Sequence, residues 1–177
     1  DEHPRATSLE ALAKMKPAFK QEGGTVTAGN ASGINDGAAF LVLADGAVAA
    51  GGPHKPMARL VAQAVGGVEA RGVGEGPIAA VRLAAQRAGL SLEQIDVIEA
   101  NEAFAAQALA VSKGLGLDPA KTNPNGGAIA IGHPVGATGA VIVTKLLHEM
   151  QRTGARYGLA TMCIGGGQGI AAIFERM

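Results

Sequence analysis

The chain of 177 residues has little that is aromatic and almost no thiol: one cysteine, one tyrosine, four phenylalanines and no tryptophan. Aromatics at 3% leave too few flat side chains for a platform of stacked bases. A single cysteine forms no internal disulfide and favours a reducing compartment. Charge of one sign is also lacking, with 15 Lys+Arg against 15 Asp+Glu. Zero net charge argues against a nucleic-acid or anionic-membrane partner, since both require a basic face. No apolar run reaches the ~18 residues of a membrane span, and Asp1-Glu2-His3 does not open a signal peptide. His3, His54 and His148 show no metal-ligand spacing with one another or with Cys163, so no metal is expected. The glycines of residues 165–169 do not fit Gly-x-Gly-x-x-Gly and no P-loop pattern occurs, which removes the dinucleotide and P-loop readings.

What the chain does have is apolar residues and glycine. At 47% hydrophobic and 17% charged it can bury a core, and disorder is excluded. At ~100–200 residues per domain, the length fits one domain, or one domain and a piece of another. The 27 glycines follow no collagen period and cluster instead, notably over Gly132 to Gly139 and Gly165 to Gly169. Such clusters mark tight turns and close backbone approaches.

From Ala58 onward, strand and helix patterns alternate. Strands are predicted over Arg59 to Val68, Asp96 to Glu99, Ala128 to Ile131, Tyr157 to Ile164 and Ile170 to Phe174. Helices are predicted over Ile78 to Ala88, opened by Pro77 and stopped by Gly89, over Glu102 to Lys113 behind an Asn101 cap, and over Ala137 to Arg152. The order βαβαβαββ defines an α/β layered domain with helices covering a mixed sheet. Residues 1–57 fit less well: Leu9 to Phe19 reads as a short helix, and Phe40 to Ala44 as a strand with no partner in its own segment.

Polar side chains punctuate glycines at the ends of apolar segments in four places, and in α/β sheets sites collect there. Cys163 ends a strand beside a glycine loop whose N–H groups could hold an oxyanion. As a thiolate it could act as nucleophile or base, and as a thiol it could equally be a small core residue. His133, held between Gly132 and Pro134, suits either an aimed functional side chain or a turn histidine bonded to backbone. Asn101 reads as a helix cap or a catalytic amide, and Ser32 and Asn35 as turn formers or ligands. Glu99 and Glu102 read as a strand end and a first-turn dipole partner.

Taken together, residues 29–38 (Gly-Asn-Ala-Ser-Gly-Ile-Asn-Asp-Gly-Ala), 101–105 (Asn-Glu-Ala-Phe-Ala), 125–139 around Gly132-His133-Pro134, and 163–169 (Cys-Ile-Gly-Gly-Gly-Gln-Gly) resemble the later signatures of the thiolases, the acetyl-CoA acetyltransferases and β-ketothiolases. The likeness spans essentially the whole chain. It implies a thiolase-like layered fold and Claisen condensation of acyl-CoA, or its thiolytic reverse, with coenzyme A and acetyl-CoA as substrates rather than bound cofactors. By that resemblance Cys163 is the acid/base cysteine, His133 activates a nucleophilic cysteine and donates to the thioester oxygen, and Asn101 holds a water that completes the oxyanion hole. The N–H of Gly165 serves a second hole. Ser32, Ala28, Ala103 and Phe104 match positions along the pantetheine channel, and Arg5 a contact at the nucleotide end.

The chain departs from the family in one respect. Thiolases carry their nucleophilic cysteine in an earlier, related half, whereas the one cysteine here lies in the acid/base motif. Residues 58–177 therefore read as the C-terminal domain. Residues 1–57 read as the end of the loop region with the last strand and helix of an N-terminal half that this chain lacks. That half is the expected partner, and acyl-CoA the expected ligand. A homo-oligomer is expected from the family. Association or aggregation of the isolated chain is expected because the sheet face that would meet the other half is bared and apolar. A cytoplasmic location is expected, any organelle signal lying in the N-terminal region. A reading of another class remains beside this one: a non-catalytic CoA-binding or dimerisation module derived from a thiolase, which would have no need of Cys163, His133 and Asn101 together.

Overall fold

A computed structural model describes residues 3–177. Two short helices come first, α1 (Leu9–Ala13), capped by the Ser8 side chain, and α2 (Gly46–Gly51), capped by Asp45. Next come β1 (Ala58–Gly67), α3 (Gly76–Ala88), β2 (Val97–Ala100), α4 (Ala105–Leu115), α5 (Ala128–Ile131), α6 (Thr138–Thr153), β3 (Tyr157–Cys163) and β4 (Gln168–Arg176). Pro77 occupies the first turn of α3, where its missing N–H costs nothing, and Gly89 closes the helix in the left-handed region. Gly116 and Gly154 close α4 and α6 in the same way.

The four strands form one sheet in the order β1-β4-β3-β2. The β1–β4 and β4–β3 pairs are antiparallel, and β3–β2 is parallel. Side-chain alternation divides the core between the two faces. On one face Ile98, Leu159 and Ile173 pack with Ala80, Val81 and Ala84 of α3. On the other, Val97, Ala160 and Met162 pack with Ile142, Leu146 and Met150 of α6. Leu146 and Met150 are fully buried, each stabilising the fold by about 1.5–3 kcal/mol relative to exposure. The first face is closed by contact with backbone: a Cβ on Gly66 would lie 2.4 Å from the Ala80 nitrogen, and one on Gly169 would lie 2.1 Å from the Gly76 carbonyl carbon. Only glycine lets α3 sit this close to β1 and β4.

The fold class is the one expected, with four local corrections. Ala128 to Ile131 is a helical turn, not a strand. The third strand position is filled earlier, by a parallel bridge between Thr122 and Ile98. Phe40 to Ala44 is not a strand, for within the described residues nothing pairs with it, and Phe40, Val42 and Leu43 are 91%, 100% and 81% exposed. The N-terminal helix stops at Ala13 instead of reaching Phe19. Finally, α4 begins at Ala105 behind Phe104, so Asn101 is no helix cap and Glu102 lies outside its first turn.

Candidate functional site

β2 and β3 run parallel and end side by side, with Ala100 opposite Thr161, and the Asn101 N–H donates to the Thr161 carbonyl at 2.9 Å. Asn101 thus leaves the end of β2 while Cys163 is the last residue of β3. After Cys163 the chain turns through Gly165, Gly166 and Gly167, all at positive φ (32°, 65° and 77°). Gly167 is wedged against the Val68 carbonyl, where a Cβ would lie at 2.5 Å, while Gly165 faces open space. Among the described residues the Gly165 N–H has no backbone acceptor. Such a turn presents donors outward.

His133 arrives from the other side of the sheet end. Its Nε2 lies 3.3 Å from Asn101 Nδ2, and its Nδ1 lies 2.6 Å from Thr138 Oγ1. The Thr138 hydroxyl donates its one hydrogen to the Pro134 carbonyl at 2.9 Å, which leaves it an acceptor towards the imidazole. Nδ1 therefore carries the proton, and Nε2 presents its lone pair to the Asn101 amide. Burial pushes the His133 pKa below its ordinary value, so the neutral ring is favoured. Thr138, which fixes the ring, is a residue that sequence reasoning did not single out. Its signal was its position five residues after His133, at the start of an amphipathic helix.

Two more segments hold these groups. Gly33 accepts from the His133 N–H at 2.8 Å, and Ile34 bridges His133 in parallel. Ser32 donates through both its N–H and its hydroxyl to the Ala103 carbonyl at 3.0 Å, and Ala31 bridges Phe104. Residues 30–34 are therefore a clasp joining the Asn101 loop to the His133 loop. Phe104 meets Phe19 edge-on, with ring centroids 6.1 Å apart. On the far side, the Asn123 side chain accepts from the Ala100 N–H and donates to the Ala100 carbonyl, so it behaves as one more strand residue along β2. Glu102 accepts from Asn123 and from the Ile129 N–H at the start of α5, which is why the apolar Ala128–Ile131 run coils there.

Asn101, His133, Ser32, Ala103 and Phe104 are thus tied together by direct contacts, and Cys163 and Gly165 stand at the end of the neighbouring strand. Ala28 and Arg5 are exposed, and Arg5 makes no ion pair among the described residues. Cys163 is half-buried, and desolvation raises its pKa, so it rests as a thiol.

The imidazole nitrogen facing a buried amide at the end of one strand, and the thiol and glycine turn at the end of its parallel neighbour, are groups of the kind that proton transfer and oxyanion stabilisation at a carbonyl use. The comparisons specify the class further. Residues 54–176 match the family model of the thiolase C-terminal domain, and residues 1–47 that of the thiolase N-terminal domain. The chain belongs to the thiolase family. It is 58% identical over 178 residues to the Beta-ketothiolase BktB of Cupriavidus necator and 57% identical to the Acetyl-CoA acetyltransferase of Escherichia coli, in each case covering 100% of this chain and 45% of the relative. Among solved structures, it superposes on the acetyl-CoA acetyltransferase of Bacillus anthracis with a TM-score of 0.97 at 49% identity, covering 100% of this chain and 45% of that one. It also superposes on human mitochondrial 3-ketoacyl-CoA thiolase in complex with CoA, with a TM-score of 0.90 at 45% identity and the same coverage. The chain spans less than half the length of these relatives.

Proposed function

We propose that the chain supplies the acid/base part of a thiolase active site, acting on acyl-CoA together with an N-terminal region that carries the nucleophilic cysteine. The observation that carries this reading is the neutral His133, fixed through Thr138 with Nε2 facing Asn101 at the strand end next to that of Cys163. In condensation, Cys163 first gives its thiol proton to the CoA thiolate that departs when the nucleophilic cysteine is acylated. The Cys163 thiolate so formed takes the α-proton of acetyl-CoA. The resulting enolate carbon attacks the acyl-thioester carbonyl on the nucleophilic cysteine, a C–C bond forms, and that cysteine leaves as thiolate. In thiolysis the Cys163 thiol returns the proton to the departing enolate carbon. A thiol whose pKa is raised by burial keeps its proton until a strongly basic enolate carbon forms and, once ionised, is the stronger base for the reverse step.

His133 takes the proton of the nucleophilic cysteine on Nε2 and, now an Nε2–H donor, stabilises the enolate oxygen together with the water held by Asn101. The Gly165 N–H serves the acyl-enzyme oxyanion, each such donor contributing typically about 10²–10³ in rate. Ser32, Ala28, Ala103 and Phe104 line the pantetheine path, and Arg5 meets the nucleotide end. Residues 1–57 finish the N-terminal half and 58–177 form the C-terminal domain. The working enzyme is a cytoplasmic homo-oligomer.

The test is thiolysis of acetoacetyl-CoA, followed as loss of enolate absorbance, by this chain alone and by the chain joined to a thiolase N-terminal region. Turnover should appear only in the joined protein and vanish in Cys163→Ser. Turnover by the chain alone, lost in Cys163→Ser, would make the lone cysteine both nucleophile and base and refute the division of labour.

A further inference from the structure

We propose that the buried ion pair between Glu99 and Lys145 is a positioning device for the Asn101–His133 couple, an inference that rests on the function proposed above. Glu99 stands on β2 two residues before Asn101 and faces α6, on the side of the sheet where Val97 packs with Ile142, Leu146 and Met150. It is 1% exposed, and its Oε2 accepts from Lys145 Nζ of α6 at 2.7 Å. An apolar residue would be the ordinary occupant of such a seam.

The pair does not explain itself as a source of stability. Replacing a buried ion pair with apolar residues of similar volume is often neutral or stabilising. Glu99 Oε1 has no hydrogen-bond partner among the described residues, so the carboxylate is only half satisfied. Its desolvation outweighs the attraction of Lys145, which raises the pKa of the acid.

What the pair does is join three elements. Lys145 donates a second hydrogen bond, at 2.6 Å, to the carbonyl of Gly126, in the loop that leads through α5 to His133. One ammonium thus fastens β2, which leads into Asn101, and the loop leading to His133, to the long helix α6. Asn101 Oδ1 is likewise buried without a partner, and Glu99, Lys145 and Asn101 all line one cavity of about 10 Å³. Asn101 has no other described side-chain bond than the one to His133. Its placement therefore depends on the backbone of β2 and on what packs behind it. A relative shift of even about 1 Å between reacting groups can cost on the order of 10²-fold in rate.

The experiment compares wild type, Glu99→Gln and the double variant Glu99→Leu/Lys145→Met, each joined to a thiolase N-terminal region. Three quantities are measured: thermal midpoint, kcat and KM for acetoacetyl-CoA, and the ¹⁵N spectrum of the His133 ring as a function of pH. The double variant should melt at or above wild type. Its kcat should fall at least about tenfold with KM within about twofold, and its His133 ring should lose the single Nδ1–H tautomer. Glu99→Gln, which keeps the shape and an acceptor oxygen, should lose less.

A folded double variant with wild-type kcat and an unchanged His133 spectrum overturns the proposal. So does a double variant that fails to fold while Glu99→Gln is fully active, since the pair would then be structural. An inactive wild type would refute the proposed function instead, and the ring spectrum would still decide whether the pair positions His133.

Discussion

Thr138→Val offers the most direct test of how the imidazole is set. Valine nearly preserves the shape of threonine, so the buried start of α6 remains filled while the hydroxyl is lost. The Pro134 carbonyl is not orphaned by the change, because it also accepts from the Ala137 and Thr138 N–H groups at 2.7 and 2.8 Å. The damage falls on His133 Nδ1, whose 2.6 Å partner disappears. Leaving a buried donor unsatisfied costs about 1–3 kcal/mol, and the ring escapes part of that cost by changing tautomer or rotating away from Asn101. Since each ~1.4 kcal/mol is a factor of ten, kcat for thiolysis in the joined protein should fall roughly 5- to 150-fold. Thr138→Ser, which keeps the hydroxyl, should retain most of the rate. The assay is steady-state thiolysis of acetoacetyl-CoA by the three proteins, with thermal melts as a control for folding. A folded Thr138→Val protein as fast as Thr138→Ser would refute the assignment of the proton to Nδ1.

Two further expectations concern stability. Burial lowers the folded-state pKa of His133 below its ordinary 6.5, so its contribution is fully present above about pH 6.5 and is lost as pH falls through the folded value. Glu99 acts with the opposite sign, its raised pKa adding a penalty as pH rises above about 4.5. Urea unfolding between pH 7.5 and 5 should therefore show wild type losing stability towards acid relative to His133→Gln; an identical pH slope in the two proteins would show that His133 does not contribute. Leu146→Ala should cost about 2–5 kcal/mol by leaving a cavity between α6 and the sheet, read from the shift in urea midpoint, and a loss under 1 kcal/mol would mean that this face repacks.

The long elements were legible in the sequence because each carries its own punctuation. Pro77 and Gly89 bracket α3, Gly154 ends α6, and the apolar runs of β3 and β4 flank a glycine turn. The Ala-Ile-Ala-Ile segment was not legible, since four apolar residues fit a buried strand as well as a helical turn. The choice was made by the Glu102 carboxylate at the Ile129 N–H, a contact between residues 27 positions apart. Asn101 was misread as a cap for a similar reason: its backbone belongs to the β2–β3 ladder, and α4 starts only after the clasp at Phe104. The segments that carry the expected site residues were singled out through their motifs, but the contacts made by Thr138 and Asn123 were not. Their roles depend on where a hydroxyl and an amide point, which spacing does not reveal.

The clasp at residues 30–34 has a kinetic meaning as well as a geometric one. Ser32 meets Ala103 across 71 positions of chain, and Gly33 meets His133 across a still longer interval. Loops of that length close late, after the local helices and the β3–β4 hairpin have formed. The β1–β4 pair, from Gly67 opposite Gln168 to Ala58 opposite Arg176, closes intervals longer still, so both the finished sheet and the aimed imidazole come after those local pieces. The clasp is held by isolated bridges and not by a continuous ladder, so the aim of the imidazole is the first property forfeited on loosening, and hydrogen exchange at the His133 and Ser32 amides should run ahead of exchange in the sheet.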